Sequence, residues 1–386
     1  MTKKRKIIVS GGGTGGHIYP AVAVAEALGK RPGYEDCEVV FVGAIGKMEM
    51  TKIPALGYRI VGLPISGLQR RLSLHNLTLP FKVVRSLIMA FRLLRRERPD
   101  AVVGFGGYAS LPLLWAARRR GIPTVLWEGN SFAGLANRLL ARGACRVCVS
   151  YDGMERFFDP AKIVRTGNPV RGSFDDVVKK SPEAFAHFGL PSDKPVLVVT
   201  GGSLGARVIN EAVMAAMPRI VSEKPFSILW QTGSYYNAEM TERMKPYGSP
   251  DNVRVVPFID RMDYAYSIAD LVAARSGAST VTELSLTATP AIFIPSSVVA
   301  EDHQTKNAQA IESIGGAVLC TDADAVERMG SLAEQLLSDR DRLDAMSRAI
   351  SGFAPRDAAQ RVAEVIVGTI TNATHGAATR GGGGGD

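Results

Sequence analysis

Two glycine-rich segments carry the residue types and spacing most suited to chemistry in this chain. One is Gly11-Gly12-Gly13-Thr14-Gly15-Gly16-His17, directly after the apolar run Ile7-Ile8-Val9. The other is Gly201-Gly202-Ser203-Leu204-Gly205, directly after Val196-Leu197-Val198-Val199. Each reads as strand, tight turn and helix start, a pattern that aims free backbone N–H groups and the positive end of a helix at an anion. Their repetition predicts two similar domains and a reaction between two phosphorylated partners.

The elements that must position these loops follow the same pattern in each half. Strand-like runs at 6–10, 38–42, 101–104, 123–127 and 146–150 alternate with helical stretches at 20–30, 82–97 and 133–142. Runs at 195–200, 227–231, 253–257, 270–274 and 291–294 alternate with helices near 206–222, 279–288 and 304–314. This alternation predicts an α/β chain of two doubly wound, Rossmann-like parallel sheets, whose ligands gather at the carboxyl ends of the strands. The expected division is a first domain over 1–168 joined by a returning helix at 355–370, a second domain over 169–354, and an unstructured tail over 371–386.

Other readings of the glycines fail on neighbouring residues. Gly11, Gly13 and Gly16 fit a dinucleotide fingerprint, but the second strand runs into Gly43-Ala44-Ile45-Gly46 with no ribose-binding acid before Glu49. No G-x-x-x-x-G-K-[ST] phosphate loop is present. The four cysteines, Cys37, Cys145, Cys148 and Cys320, include one C-x-x-C without a second pair; buried, reduced thiols are expected, in keeping with a cytosolic setting. The basic start of the chain leads straight into the first strand and glycine loop, and so reads as strand, not signal peptide.

The chain has 386 residues, is 46% hydrophobic and carries a net charge of +9. Eight basic residues (Arg70, Arg71, Lys82, Arg85, Arg92, Arg95, Arg96 and Arg98) and one acid, Glu97, lie between 70 and 98, interleaved with leucines, valines and phenylalanines. Such a stretch suits an anionic membrane surface, mainly through 68–85; each near-surface cation contributes about 1 kcal/mol. No nucleic-acid-binding motif accompanies the charge.

An ordered set of motifs gives a family resemblance: Gly12-Gly13-Thr14-Gly15-Gly16-His17, Gly104-Phe105-Gly106-Gly107-Tyr108, Gly167-Asn168-Pro169-Val170-Arg171, Gly201 through Arg207, Phe258-Ile259-Asp260-Arg261-Met262, Arg275-Ser276-Gly277-Ala278, and Asp302-His303-Gln304-Thr305-Lys306-Asn307-Ala308. In this order the chain resembles the UDP-N-acetylglucosamine transferases of peptidoglycan synthesis in glycosyltransferase family 28. The resemblance implies the GT-B fold, with two parallel-sheet domains facing an interdomain cleft. It also implies an inverting transfer of GlcNAc from UDP-GlcNAc to the C4 hydroxyl of a muramyl sugar linked through pyrophosphate to undecaprenol. A related enzyme for another lipid, or a binding protein without turnover, would share the donor motifs.

The resemblance also distributes roles. For the donor it implies Gly202, Ser203 and Gly205 at the pyrophosphate, with Arg171 adding a guanidinium. Ile259 would offer its backbone to uracil, Glu283 would meet the ribose hydroxyls, and His303, Gln304 and Asn307 the sugar. For the acceptor it implies Thr14, Gly15, Gly16, Gly106, Gly107, Tyr108, Glu128 and Asn130. His17, a side-chain type able to exchange a proton near neutral pH, would be the general base. The family pattern His-Glu-Gln-Asn is here Trp127-Glu128-Gly129-Asn130, so two polar groups near the acceptor are replaced. Asp322-Ala323-Asp324 and Asp339-Arg340-Asp341 are expected to be a helix cap and a solvated helical face, with no essential metal. The expected place is the cytoplasmic face of the bacterial inner membrane, as a peripheral protein.

Overall fold

The computed structural model describes residues 4–66, 79–170, 174, 176–296 and 302–381. Contacts divide the chain into two units, Met1–Arg171 with Asp357–Asp386, and Gly172–Arg356.

The first unit is built on a seven-stranded parallel sheet in the order β3-β2-β1-β4-β5-β6-β7. Its strands are β1 (Lys6–Ser10), β2 (Glu38–Ala44), β3 (Arg59–Leu63), β4 (Ala101–Gly104), β5 (Thr124–Glu128), β6 (Arg146–Val149) and β7 (Ile163–Arg165). Strand β1 lies between β2 and β4, with Ile7 paired to Val39 on one side and to Ala101 on the other. Ile7, Ile8 and Val9 are fully buried, as continuous apolar strands covered on both faces must be.

Helices α1 (Gly15–Gly29), α2 (Glu49–Ala55), α3 (Leu79–Glu97), α4 (Ser110–Arg119) and α5 (Leu135–Ala141) complete this unit with the returning helix α14 (Ala358–Gly381). Val362, Ala363, Ile366 and Ile370 of α14 are buried in the same core as Ile18, Val22 and Ala25 of α1. Burial of each large aliphatic side chain contributes about 1.5–3 kcal/mol. The helix continues past 370 because nothing stops it: Thr371 and Thr374 return their hydroxyls to the carbonyls of Val367 and Ile370, and alanines follow.

The second unit has a six-stranded parallel sheet in the order β10-β9-β8-β11-β12-β13. Its strands are β8 (Val196–Thr200), β9 (Ser227–Gln231), β10 (Val253–Val256), β11 (Leu271–Ala274), β12 (Ala291–Phe293) and β13 (Ala317–Leu319). Its helices are α6 (Pro182–Phe188), α7 (Arg207–Glu223), α8 (Asn237–Met244), α9 (Met262–Ile268), α10 (Ala278–Leu286), α11 (His303–Glu312), α12 (Ala325–Ser338) and α13 (Arg340–Ser351).

Strands β3, β7 and β13 lie outside the runs anticipated from sequence. β3 is a sheet edge with Arg59 and Gly62 diluting its apolar pattern, while β7 and β13 are only three residues each. Cys145 also departs from expectation: it precedes β6 and is exposed, while Cys148 and Cys320 are buried. Of the basic stretch, 67–78 lies outside the described residues. Helix α3 buries Ala90, Leu93 and Leu94, and exposes Phe81, Val84 and Ile88. Among the described residues no helix is long and apolar enough to cross a membrane.

Candidate functional site

In each sheet the strand order reverses at one pair, and the glycine loops leave those strands. The Gly11–Gly16 loop follows β1, and the Gly104–Tyr108 loop follows its neighbour β4. The Gly201–Gly205 loop follows β8, and Arg275-Ser276-Gly277 follows its neighbour β11. Ligands of doubly wound sheets bind at such switch points.

In the second unit these loops open a pocket of about 180 Å³, lined by Gly202, Ser203, Ile259 and Glu283 from the expected donor set, together with Thr200, Gln231, Phe258, Tyr266, Arg275 and Thr280. Gln231 is the organiser that sequence reasoning missed. Its Nε2 donates to the Gly202 carbonyl at 2.8 Å, and its Oε1 accepts from the Ile259 N–H at 2.9 Å. The Ile259 N–H is therefore engaged, which leaves the carbonyl as the backbone group able to meet an N–H of uracil. Gln231 ends β9, beside the loop-bearing strand β8; that position was its only signal in the sequence.

Glu283 lies on α10, and its Oε2 accepts from the Tyr266 hydroxyl at 2.8 Å. Burial raises its carboxyl from the ordinary carboxylate range to about 7, and the Tyr266 hydrogen bond partly opposes that rise. Tyr266 itself is buried, and no motif in the sequence marks it. Arg275 donates to the Ile294 carbonyl and is paired with Asp322, so this aspartate anchors a pocket arginine, while Asp324 of the same segment stands at the N-cap position of α12. Asp339 does cap a helix: its side chain accepts from Arg342 N at the start of α13. Among the described residues no group of three or more His, Cys, Asp or Glu could hold a metal ion.

The expected sugar-reading face of α11 divides. Asn307 is fully buried, and its amide donates to the Ser276 carbonyl at 3.2 Å, so it holds the Arg275–Gly277 loop and does not present itself to a sugar. Gln304 accepts from Ser296 N through Oε1 at 2.9 Å, and its backbone carbonyl accepts from the Ser276 hydroxyl at 2.7 Å. His303 opens the helix and is half-buried. Gly205 closes the Gly201–Gly205 loop, with its N–H donating to the Gly202 carbonyl at 2.9 Å. Arg171 lies outside the described residues.

In the first unit the loops after β1 and β4 interlock. Phe105 N donates to the Ser10 carbonyl at 2.7 Å, and the Ser110 hydroxyl donates to the Gly106 carbonyl at 2.8 Å. Gly106 and Gly107 both have left-handed φ, +96° and +85°. A Cβ on Gly107 would stand 2.5 Å from the Gly12 carbonyl oxygen, so only glycines allow this approach. His17 lies between the loops: Nδ1 is 2.9 Å from the Gly12 carbonyl oxygen, and Nε2 faces Gly106. Thr14, Gly16 and Tyr108 are exposed around it and Gly15 is half-buried.

Two expected acceptor contacts are engaged elsewhere. Glu128 is buried; its Oε1 accepts from Asn130 N and Nδ2 at 3.0 and 3.2 Å, and its Oε2 from Gly134 N and Asn137 Nδ2 at 3.0 and 2.9 Å. With both oxygens satisfied, Glu128 shapes the 130–134 loop and the start of α5, and the Asn130 amide is tied into the same arrangement. Gly13 N, in the loop thought to offer its N–H groups to an anion, instead donates to Glu49 Oε2 at 2.9 Å. Glu49 was visible in the sequence only as an acid too late for a ribose.

Two doubly wound parallel-sheet units with glycine loops at their switch points, one of them carrying a carboxylate-lined pocket, are the architecture of the GT-B class of glycosyltransferases. Residues 7–149 match the glycosyltransferase family 28 N-terminal domain and residues 196–362 the family 28 C-terminal domain; the chain belongs to this family. It is 46% identical over 369 residues to the UDP-N-acetylglucosamine–N-acetylmuramyl-(pentapeptide) pyrophosphoryl-undecaprenol N-acetylglucosamine transferase of Parabacteroides distasonis, covering 95% of this chain and 99% of that relative. The enzyme of the same name from Flavobacterium psychrophilum is 44% identical, over 94% of this chain and 97% of its own length. Among solved structures, Acinetobacter baumannii MurG matches with a TM-score of 0.74 at 28% identity, over 94% of this chain and 99% of that one. The kitacinnamycin glycosyltransferase matches in fold, with a TM-score of 0.70 at 15% identity over 95% of this chain and 99% of its own.

Proposed function

We propose that the chain is the inverting glycosyltransferase that moves GlcNAc from UDP-GlcNAc to the C4 hydroxyl of MurNAc in undecaprenyl-pyrophosphoryl-MurNAc-pentapeptide, lipid I, to form lipid II in peptidoglycan synthesis. The observation that carries this reading is 46% identity to the Parabacteroides enzyme over nearly the whole of both chains. The pocket uniting Gly202, Ser203, Ile259 and Glu283 supports it chemically.

On this reading the second unit holds the donor. The Ser203 hydroxyl, the loop N–H groups and the start of α7 meet the pyrophosphate, where charge develops as UDP leaves; fixed dipoles stabilise that charge without reorganising. Arg275, and Arg171 by the family resemblance, supply cations. Ile259 offers its carbonyl to uracil, Glu283 accepts from the ribose, and His303 with the Gln304 amide reads the sugar.

The first unit holds the acceptor through Thr14, Gly15, Gly16, Gly106, Gly107 and Tyr108, with Glu128 and Asn130 shaping the adjoining loop. His17 Nε2 takes the proton from the C4 hydroxyl as that oxygen attacks the anomeric carbon. The α3 stripe of Phe81, Val84 and Ile88 with Arg85 and Arg92 seats this unit on the anionic cytoplasmic leaflet, where the lipid acceptor resides.

The test is UDP release and β-1,4 disaccharide formation from UDP-GlcNAc and a short-chain lipid I analogue, with EDTA present. Turnover that survives EDTA and collapses in Glu283→Ala is the expected result. Bound UDP-GlcNAc without turnover of this acceptor would overturn the assignment.

A further inference from the structure

One peptide unit joins two side chains from different elements of the first unit. The Gly13 N–H donates to Glu49 Oε2 at 2.9 Å, and the Gly12 carbonyl of the same peptide lies 2.9 Å from His17 Nδ1. The other oxygen, Glu49 Oε1, accepts from Ala44 N at 3.0 Å. Glu49 begins α2 and is only 1% exposed. The chain packs closely around it: a Cβ on Gly12 would stand 2.2 Å from Glu49 Oε1, and one on Gly43 would stand 2.4 Å from its Cγ.

Both partners of Glu49 are backbone donors, one to each oxygen. A carboxylate satisfies both, whereas a glutamine amide would satisfy one and turn its NH₂ on the other. The Gly12 carbonyl can only accept, so the neutral imidazole must carry its proton on Nδ1 to bond it, leaving the lone pair on Nε2. The sequence carboxylate, N–H, C=O, N–H is a chain in which each hydrogen bond polarises the next. Its order is that of a histidine–carboxylate pair with a peptide inserted. The other groups facing the imidazole, the Thr14 hydroxyl 3.4 Å from Nδ1 and the Gly106 backbone, are uncharged.

We infer that Glu49 is a positioning residue for His17, acting through the Gly12–Gly13 peptide to hold the imidazole proton on Nδ1 and keep Nε2 free as the base. The catalytic half of this inference rests on the proposed role of His17. In the step it serves, the acceptor O–H bond breaks and its proton passes to Nε2. The oxygen forms the new bond to the anomeric carbon, and the electron pair of the broken glycosidic bond leaves with UDP. The imidazolium that results has N–H on both nitrogens, and the buried carboxylate behind the peptide stabilises its charge.

The experiment combines ¹⁵N NMR of histidine-labelled protein, full chain and ligand-free, with steady-state kinetics. Wild-type His17 is expected as the Nδ1–H tautomer. Glu49→Gln should lower the Nδ1–H to Nε2–H ratio at least about threefold and cut kcat about tenfold, with KM for UDP-GlcNAc unchanged. Glu49→Asp, which keeps the charge on a shorter arm, should fall between them. An Nε2–H tautomer in the wild type, or an unchanged ratio in Glu49→Gln, overturns the inference; the wild-type spectrum decides even if Glu49→Gln does not fold. Full activity in His17→Ala would overturn the general-base reading and the catalytic use of Glu49 with it. A tautomer shift in Glu49→Gln would then still uphold the link through the peptide.

Discussion

The indole of Trp127 fills the space in which a side chain at Gly129 would stand: a Cβ there would lie 2.3 Å from Cη2 and 2.8 Å from Cζ2. The two departures from the family pattern His-Glu-Gln-Asn are thus one physical change. The larger ring, packed on Phe105 with centroids 5.5 Å apart and donating through Nε1 to the Gly167 carbonyl at 3.1 Å, requires the smaller neighbour. Gly129→Gln alone should destabilise the first unit by about 1–3 kcal/mol through overpacking. Trp127→His alone should cost about 2–4 kcal/mol through the space it leaves. The double variant should cost at least about 1 kcal/mol less than the sum, and denaturant unfolding of the four proteins measures that coupling. Simple additivity would refute the pairing.

With Glu283 in its proposed place at the ribose, nucleotide binding should depend on pH. With its carboxyl raised to about 7 by burial, it is protonated in more acidic solution and cannot accept from both ribose hydroxyls. UDP affinity should therefore rise as pH increases to about 7 and level off above, falling about tenfold per unit well below it. Without nucleotide the linkage has the opposite sign. The folded state holds this proton more tightly than the unfolded chain, so the Glu283 contribution to stability declines between about 4.5 and about 7. Tyr266→Phe removes the hydrogen bond that lowers the carboxyl and should move the binding midpoint upward; Glu283→Gln should flatten the curve. Calorimetric titration of UDP at several pH values tests this, and a flat wild-type profile would count against it.

The sheets and their glycine loops were legible because apolar runs ending in glycine have few other structural solutions. What was not legible depends on partners distant in sequence. Glu128 and Asn307 carry motif positions that read as ligand contacts, yet their hydrogen bonds go to Gly134 with Asn137, and to Ser276. Gln231 and Glu49 have no motif of their own; each matters because the fold brings it to a glycine loop formed by another segment. Periodicity reports which face of an element is apolar, and it cannot report which backbone donor a buried carboxylate will meet.

Glu97 is the acid that holds one edge of the first sheet. It is 2.8 Å from Lys6, 2.6 Å from Arg59 and 2.9 Å from Arg96, and its carboxyl is lowered to about 2, foremost by the Lys6 hydrogen bond. A carboxyl so lowered contributes stability above its ordinary value of 4.5, and that contribution is lost as pH falls towards about 2. Glu97→Gln should destabilise the first unit by about 1–3 kcal/mol at pH 7 and show less additional loss on acidification. Hydrogen exchange of β1 and β2 at neutral and acidic pH reads both effects. Equal acid sensitivity in the two proteins would rule out Glu97 as the titrating group.

The exposed stripe on α3 makes a prediction about the lipid surface. Phe81 is 80% exposed, Val84 57% and Ile88 47%, an apolar row at helical spacing flanked by Arg85 and Arg92. Apolar side chains in this number on an otherwise polar helix face suit the boundary between headgroups and acyl chains, and the two guanidinium groups suit anionic headgroups. Replacing both arginines by glutamine removes about 1 kcal/mol for each charge, so affinity for vesicles rich in anionic lipid should fall roughly thirtyfold. Phe81→Ser should weaken binding to neutral and anionic vesicles alike, because it removes buried area and leaves charge unchanged. UDP release with a water-soluble acceptor analogue should be unaltered in both variants, since neither substitution touches the switch-point loops. Vesicle co-sedimentation at low and high salt separates the two contributions: the arginine effect should shrink with salt and the phenylalanine effect should not. Unchanged co-sedimentation of both variants would exclude this face of α3 as the lipid-facing surface.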